Sequence, residues 1–182
     1  LADLFTFGEQ YLASTFVKSN AEHPLSRVKV PLSIMLCRAC GLVQLKETVE
    51  RSVLFHEYFY RSSTNPLMKA ALRDVAESLS EKVSLKEGDP ILDVGCNDGT
   101  MLGFFDARAS RVGIEPAQNI DWSGVDESIR IINAFFSKDV ALRASEGSLY
   151  KAVASVAMLY SVEDVNAFAA QIRELLAPDG VW

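Results

Sequence analysis

The sequence lacks long runs of either apolar or basic residues. No stretch of about 18 apolar residues occurs, so no membrane span is predicted. No run of five basic residues is present and the formal net charge is −6, which argues against a general nucleic-acid binder because phosphate contacts need clustered Lys and Arg. The N-terminus shows no basic segment followed by an apolar core, as a secretory signal would. We therefore expect a cytoplasmic protein that binds neither membranes nor nucleic acids.

Cysteine is also scarce. Three cysteines are too few for the disulfide framework of a small secreted protein. Two of them form the sequence Cys37-Arg38-Ala39-Cys40-Gly41, which follows an alternating apolar segment at 28–36 and precedes a second apolar stretch. The first segment contains Pro31, which predicts an edge strand or an irregular strand. Taken alone, the pair is compatible with half of a zinc ribbon, a buried pair or a redox pair.

The length of 182 residues and the hydrophobic content of 49% suit one globular domain with an appendage. Asn65-Pro66 predicts the start of a helix, because Asn is a good N-cap and Pro suits the first helical position. A polar stretch at 86–90 ends this helical region. We predict three parts: a partial zinc-binding and substrate-recognition domain at 1–60, a linker helix at 61–89 and a ligand-binding domain at 90–182.

Strands and helices alternate from residue 90 onward, which predicts a parallel α/β sheet. The chain begins at Leu1 and ends at Trp182, just after a turn signal, so we expect it to be part of a longer protein with this sheet incomplete at its C-terminal end. We expect Pro178-Asp179-Gly180 to end the last helix and a fifth strand barely to begin after it. The four strands are predicted at 91–95, 111–115, 129–132 and 152–158, with helices at 99–107 and after residue 161.

The strongest motif is Asp93-Val94-Gly95-Cys96-Asn97-Asp98-Gly99, which leaves the first of these strands. Its glycines permit a tight turn and a close approach of the backbone to a ligand. Asn97 stands where a dinucleotide-binding motif needs its second glycine, which disfavours an NAD-dependent enzyme. Glu115 ends the next strand, at the spacing where an acid binds ribose hydroxyls. These features predict a nucleoside ligand; the alternative is that Asp93 and Glu115 only cap helices or solvate strand ends.

The segments ILDVGCNDGT and VGIEP resemble the first two motifs of class I S-adenosylmethionine-dependent methyltransferases. The resemblance implies a Rossmann-like sheet and S-adenosylmethionine as cofactor. It places Asp93, Gly95 and Asn97 along the methionine and ribose, and Glu115 on the ribose diol. It also implies that the adenine is bordered by Pro116, Asn133, Ala134 and Phe135. The methionine part would face Ser155 and Ala157 on the fourth strand.

The order of motifs resembles the nucleotide-sugar C-methyltransferases that carry a zinc-binding domain. The cysteine pair is followed by Tyr58-Phe59-Tyr60-Arg61-Ser62-Ser63 and then by the cofactor motifs. Members hold a structural zinc ion with two cysteine pairs, so Cys37 and Cys40 would be the second pair and two further ligands are missing from this chain. His23 and His56 are alternative ligands. The implied partner is a small-molecule acceptor, with a nucleotide-linked sugar as the candidate.

Three tyrosines are candidates for contacts near the transferred methyl group: Tyr58, Tyr60 and Tyr160. Aromatic packing is their alternative role. Ala71 and Ser161 stand where sugar-modifying members carry histidines, and the general base for a carbon acceptor is expected beyond this chain. The functional alternatives are an O- or N-methyltransferase on another small molecule and a non-catalytic nucleoside-binding module.

Overall fold

The computed structural model describes residues 1–12 and 28–182 of the chain. These residues divide into two compact units, 1–59 and 60–182. His23, one of the alternative zinc ligands, lies outside the described residues. The predicted division of the chain into three parts stays a prediction.

The first unit contains a three-stranded antiparallel sheet. Its strands are β1 (Ala2–Tyr11), β2 (Lys29–Leu36) and β3 (Val43–Leu45), in the order β1-β2-β3, and a short helix α1 (Arg51–Phe55) follows. The strand predicted around Pro31 is irregular, as expected, because its pairing with β1 shifts register between Thr6 and Glu9. It is not an edge strand, since β3 pairs with its last three residues. Pro31 is tolerated because that pairing begins only at Ile34, so no β3 residue pairs with it.

A tight turn joins β2 to β3 and carries the cysteine pair. The Cys37 carbonyl accepts from the Gly41 N–H at 2.8 Å, and the Cys37 N–H donates to the Leu42 carbonyl at 2.8 Å. Gly41 has a φ of +77°, which a glycine adopts without strain. The predicted strand, turn and strand are therefore present.

The second unit is built on a parallel sheet of five strands in the order β6-β5-β4-β7-β8. This confirms the predicted Rossmann-like α/β class. Short 3₁₀ turns lie at Ser62–Thr64, Leu102–Phe104 and Leu159–Ser161. The helices and strands, in chain order, are α2 (Pro66–Val83), β4 (Pro90–Val94), β5 (Ser110–Ile114), β6 (Ile129–Ile132), α3 (Lys138–Ala144), β7 (Tyr150–Ala154), α4 (Val165–Leu175) and β8 (Leu176–Val181).

Apolar side chains bury both faces of this sheet. The α2 helix packs Leu72 and Ala76 into one cluster with Ile91 of β4. The α4 helix packs Phe168 and Ile172 into a second cluster, with strand residues that point to the opposite face. The predicted start of α2 is confirmed, because the Asn65 side chain accepts from the N–H groups of Leu67 and Met68. Burial of both faces explains the near-continuous apolar sequences of the central strands.

Two predicted elements are wrong in extent. The helix predicted at 99–107 is only the 3₁₀ turn Leu102–Phe104, preceded by Gly99 with a left-handed φ of +75°. The fourth strand, predicted to run to residue 158, ends at Ala154. Ala157 is left-handed, with a φ of +53°, a conformation that does not belong to an extended strand.

The sheet contains a full fifth strand, so the expectation of one that had barely begun is wrong. The β8 strand pairs with β7 at Leu176 and Val181, and the register is irregular between them. This irregular stretch contains Pro178, Asp179 and Gly180. Turn residues of this kind are tolerated within a strand where the regular pairing is interrupted. Gly180 has no room for a Cβ atom, which would come within 2.6 Å of the Tyr150 carbonyl oxygen.

Among the helices of the described residues, none is long and apolar enough to cross a membrane. The cytoplasmic setting stays a prediction.

Candidate functional site

The carboxyl ends of the parallel strands bring most of the predicted cofactor residues to one edge of the sheet. Asp93 of β4 pairs with Gly113 of β5 and with Ala154 of β7. Glu115 directly follows β5, and Asn133 and Ser155 directly follow β6 and β7. Ligands of open α/β sheets bind at this edge, where the connections on either side of a central strand diverge.

The turn after β4 is tight. Gly95 has a φ of +76°, and its N–H donates to the Ile114 carbonyl at 2.8 Å. A Cβ atom at Gly95 would lie 3.3 Å from the Cβ and Cγ atoms of Met158, so a larger residue would displace that side chain. Asn97 is also left-handed, with a φ of +52°. Glycine at position 95 therefore makes room for Met158, and the predicted close approach of a ligand there stays a prediction.

Glu115 is buried, with 6% of its surface exposed. Its Oε2 accepts from the Asn97 N–H at 2.9 Å, and its Oε1 accepts from the Ala117 N–H at 3.0 Å. Each carboxylate oxygen can accept more than one hydrogen bond, so both keep capacity for a ligand hydroxyl. The carboxylate is thus held in place by backbone donors while remaining able to bind a diol.

Asn133 joins the end of β6 to the end of β5. Its Nδ2 donates to the carbonyls of Glu115 and Ala117, at 2.7 Å and 2.9 Å. The Ala134 N–H donates to the Glu115 carbonyl at 3.1 Å. Ala117 is fully buried, whereas 37% of the Phe135 surface is exposed. These contacts fix the backbone on the predicted adenine side.

Asp93 is the second buried carboxyl group of the site, with 4% of its surface exposed. Burial, assisted by the negative charge of Glu115, raises the pKa of Asp93 to about 8. A cationic ligand beside the Asp93 carboxyl group would favour its ionised form.

Ser155 and Ala157 lie beyond the end of β7, so their predicted placement on the fourth strand is wrong. The Ser155 Oγ accepts from the Trp182 Nε1 at 2.8 Å. Ala157 lies in the left-handed turn that leads to Met158, the residue packed on Gly95. Their contact with the methionine part of a cofactor stays a prediction.

The three tyrosines lie in different settings. Tyr58 belongs to the first unit, where its ring centroid lies 6.2 Å from that of Phe55. Tyr60 begins the second unit and has a buried hydroxyl oxygen without a hydrogen-bond partner among the described residues. Tyr160 lies in a 3₁₀ turn with 79% of its surface exposed. Their roles near the transferred methyl group stay predictions.

Sequence reasoning missed Trp122, which contacts the turn at 95–99 after β4, called the cofactor turn below. Its Nε1 donates to the Asn97 carbonyl at 2.9 Å, across 25 residues of sequence. Trp122 also lines a cavity of about 330 Å³, together with Val125 and Ile131. No local pattern marks such a long-range contact, since Trp122 lies in a loop without periodicity.

Cys37 and Cys40 supply two thiols at the β2–β3 turn. Hydrogen bonds from the N–H groups of Cys40 and Ala39 hold the pKa of the Cys37 thiol below its usual range. Within 1–12 and 28–182, no group of three or more His, Cys, Asp or Glu residues is arranged to hold a metal ion. The role of Cys37 and Cys40 as zinc ligands stays a prediction.

We expect the three cysteines to differ sharply in reactivity. After chelator treatment, Cys37 and Cys40 should react with a thiol reagent at neutral pH within the mixing time. Cys96 should react only on unfolding, because it is buried and burial raises the pKa of its thiol. The check is the number of thiols titrated before and after denaturant is added, with Cys96→Ala as the control that loses only the slow phase. Rapid reaction of Cys96 in the native protein would contradict its burial.

Comparison with known proteins gives two family matches. A family model described as "Methyltransferase domain" matches residues 65–182, and one described as "Putative zinc binding domain" matches residues 1–55. The first match covers more than half of the chain.

Two relatives carry C-methyltransferase names. The chain is 28% identical over 182 residues to C-methyltransferase NovU of Streptomyces niveus, covering 99% of this chain and 43% of that protein. It is 34% identical over 114 residues to sphingolipid C9-methyltransferase A of Emericella nidulans, covering 56% of this chain and 22% of that protein. The chain thus spans less than half the length of these relatives.

The fold is shared with a solved methyltransferase. The plantazolicin methyltransferase BpumL, solved in complex with S-adenosylhomocysteine (SAH) and a desmethylPZN analog, superposes with a TM-score of 0.50 at 16% identity, covering 63% of this chain and 45% of that one. At this identity the likeness concerns the fold alone. Together with the family match over residues 65–182, it shows that the chain belongs to the methyltransferase-domain family and has the class I S-adenosylmethionine-dependent methyltransferase fold.

Proposed function

We propose that the protein transfers a methyl group from S-adenosylmethionine to a small-molecule acceptor. The observation that carries this proposal is the Glu115 carboxylate, buried at a strand end and held by two backbone N–H groups. An acid in this position is suited to the two hydroxyls of a ribose. The Gly95 turn lies at the same edge of the sheet, directly after β4, which supports the same ligand position.

The residues at the sheet edge fit S-adenosylmethionine, which when bound supplies a methyl group already activated on a sulfonium. Glu115 would bind the ribose diol, while Asn133, Ala134 and Phe135 would border the adenine. Asp93 would lie on the methionine side, where the cationic part of the cofactor would favour its ionised form. What remains for the chain is to hold donor and acceptor in line and to exclude water.

We propose carbon as the methylated atom. The names of the two relatives identify them as C-methyltransferases, and the motif order of the sequence favours a nucleotide-linked sugar as acceptor. Methylation of carbon requires a base that first removes a proton. Ala71 and Ser161 cannot serve as that base, because neither side chain titrates near neutral pH.

The cofactor is tested by calorimetric titration of the protein with S-adenosylmethionine, SAH and NAD. We expect the two adenosyl ligands to bind and NAD not to bind, because Asn97 replaces the glycine that a pyrophosphate needs. Absence of SAH binding by folded protein would overturn the proposal and favour a non-catalytic module.

The acceptor is tested with methyl-labelled S-adenosylmethionine and a panel of nucleotide-linked sugars. Label found on a carbon of one sugar would support the proposed acceptor. Label on oxygen or nitrogen of another small molecule would identify an O- or N-methyltransferase instead.

We also infer that Cys37 and Cys40 form half of a structural zinc site. Their position in a tight turn and the lowered pKa of Cys37 both favour metal binding by thiolate. In the thiol titration described above, omission of the chelator should then protect both cysteines. Equal reactivity with and without chelator would favour a free or redox-active pair.

A further inference from the structure

Asn97 is held through both its backbone and its side chain, and four of its hydrogen bonds join it to residues distant in sequence. The backbone N–H donates to the Glu115 Oε2 and the backbone carbonyl accepts from the Trp122 Nε1. The side-chain Oδ1 accepts from the Ser62 N–H at 3.1 Å, and the Nδ2 donates to the Tyr60 carbonyl at 3.0 Å. Asn97 itself is buried, with 7% of its surface exposed.

The partners of the Asn97 side chain belong to one segment, Tyr60–Ser63, which precedes α2 in the second unit. This segment has a further contact with the same turn, since the Ser63 N–H donates to the Asp98 Oδ2 at 2.9 Å. Its partners in the turn are 35 to 37 residues away in sequence. Three hydrogen bonds thus join the side chains of the cofactor turn to the backbone of the Tyr60–Ser63 segment.

The conformation of Asn97 shows that its side chain has a purpose beyond the turn itself. A φ of +52° is costly for most residues and free for glycine. Glycine would satisfy the backbone at this position and keep the bonds to Glu115 and Trp122. What asparagine adds is a carboxamide, and both of its polar atoms bind the Tyr60–Ser63 segment.

We propose that Asn97 is a positioning residue that couples the cofactor site at Glu115 to the Tyr60–Ser63 segment. This inference rests on the proposed function, since it assumes a cofactor at Glu115. The carboxylate of Glu115 holds the Asn97 backbone, and the Asn97 carboxamide holds Ser62 and Tyr60. A ligand that restrains Glu115 therefore restrains the segment through Asn97, whose contacts are supplemented by the bond from Ser63 to Asp98.

The consequence concerns Tyr60, whose side chain extends from this segment. Its hydroxyl oxygen is buried and has no partner among the described residues. An unpaired buried hydroxyl group is unfavourable, so the Tyr60–Ser63 segment tends to move in a way that exposes the Tyr60 hydroxyl to water. Other contacts have to hold the segment against this tendency. Asn97 supplies that restraint, and cofactor binding strengthens it.

The test compares Asn97→Gly with the wild-type protein by hydrogen exchange and by calorimetry with SAH. Glycine removes the carboxamide and keeps the left-handed backbone. Glu146→Gly is the matched control, because Glu146 is also left-handed, with a φ of +55°, but is exposed in the turn after α3. The peptide to follow covers residues 58–66, which includes the Ser62 and Ser63 amides.

In the wild-type protein and in Glu146→Gly, SAH should slow exchange of this peptide about tenfold. In Asn97→Gly, exchange without ligand should be about tenfold faster than in the wild type, and SAH should no longer slow it. The affinity for SAH should weaken by less than about 30-fold, because the carboxamide is lost while the backbone contacts of the turn remain. Thermal unfolding of each variant checks that the fold is retained.

Two results would overturn the proposal. Equal SAH-dependent protection in Asn97→Gly and wild type would show that Asn97 does not couple the two regions. A loss of SAH affinity above about 30-fold in folded Asn97→Gly would show that the side chain contacts the cofactor directly, since about 2 kcal/mol is typical of a direct polar contact. Failure of the wild type to bind SAH is a different outcome, because it removes the proposed function and the coupling with it.

Discussion

Replacement of Glu115 by alanine should weaken SAH binding about 100-fold, which corresponds to the loss of two hydrogen bonds to a charged acceptor. The carboxylate is preorganised, because backbone N–H groups of Asn97 and Ala117 fix its two oxygens before a ligand arrives. It therefore offers its remaining lone pairs to a ribose diol without an ordering cost. The measurement is calorimetric titration with SAH at constant pH and salt.

Two further variants separate binding from folding. Glu115→Gln keeps one oxygen acceptor but loses the charge, so it should lie between wild type and alanine in affinity. Glu127→Ala removes an exposed acid from the loop that precedes β6 and should bind SAH as the wild type does. A Glu115→Ala protein that unfolds normally on heating and still binds SAH within about threefold of wild type would remove Glu115 from the cofactor site.

The residues around Glu115 show what the sequence could predict. The strands β4 and β5 are short apolar runs that end in polar residues, and this pattern locates their carboxyl ends to within one residue. Parallel pairing then brings Asp93 and Glu115 to one edge, because strand direction follows from the alternation with helices. The edge of the sheet at which Asp93 and Glu115 lie was therefore predictable, and their contact with a cofactor stays a prediction.

The region after β7 shows where such prediction fails. The sequence from Ala152 to Met158 contains apolar and small residues throughout, so nothing in its periodicity shows that the strand ends at Ala154. The strand is ended by a left-handed turn at Ala157, and alanine gives no sign of that conformation. Met158 packs on Gly95, so the turn after β7 contacts the turn after β4, residues that are far apart in the sequence.

The same reasoning applies to the predicted helix at 99–107. Its apolar residues have helical spacing, yet Met101, Leu102 and Phe105 are buried by a chain that makes only a 3₁₀ turn. The segment packs closely on β5, since a Cβ atom at Gly113 would lie 2.6 Å from the Cys96 Sγ and 3.0 Å from a Leu102 methyl group. This close packing favours the 3₁₀ turn over a longer helix. Tertiary packing overrides the local helical preference here.

The second large effect concerns Asp93, whose replacement by asparagine should stabilise the ligand-free protein by about 4 kcal/mol more at pH 8 than at pH 5. Burial, assisted by Glu115, raises the pKa of Asp93 from 3.8 to about 8. The native protein therefore binds one proton more than the unfolded chain between these two values. Stability contributed by this proton is complete below about pH 4 and is lost as the pH rises toward 8.

The measurement is urea unfolding of wild type and Asp93→Asn at pH 5, 6.5 and 8, where the free energy difference between them should grow with pH. Asp126→Asn is the control with the opposite shift, because hydrogen bonds from Ser128 lower the pKa of Asp126 to about 2. Asp126 is ionised in both folded and unfolded states throughout this range, so the effect of its replacement should not change with pH. A constant difference between wild type and Asp93→Asn would mean that Asp93 is already ionised in the native protein at pH 5. The two acids would then hold their charges together without a ligand, and the electrostatic reason for a cationic cofactor at this edge would be lost.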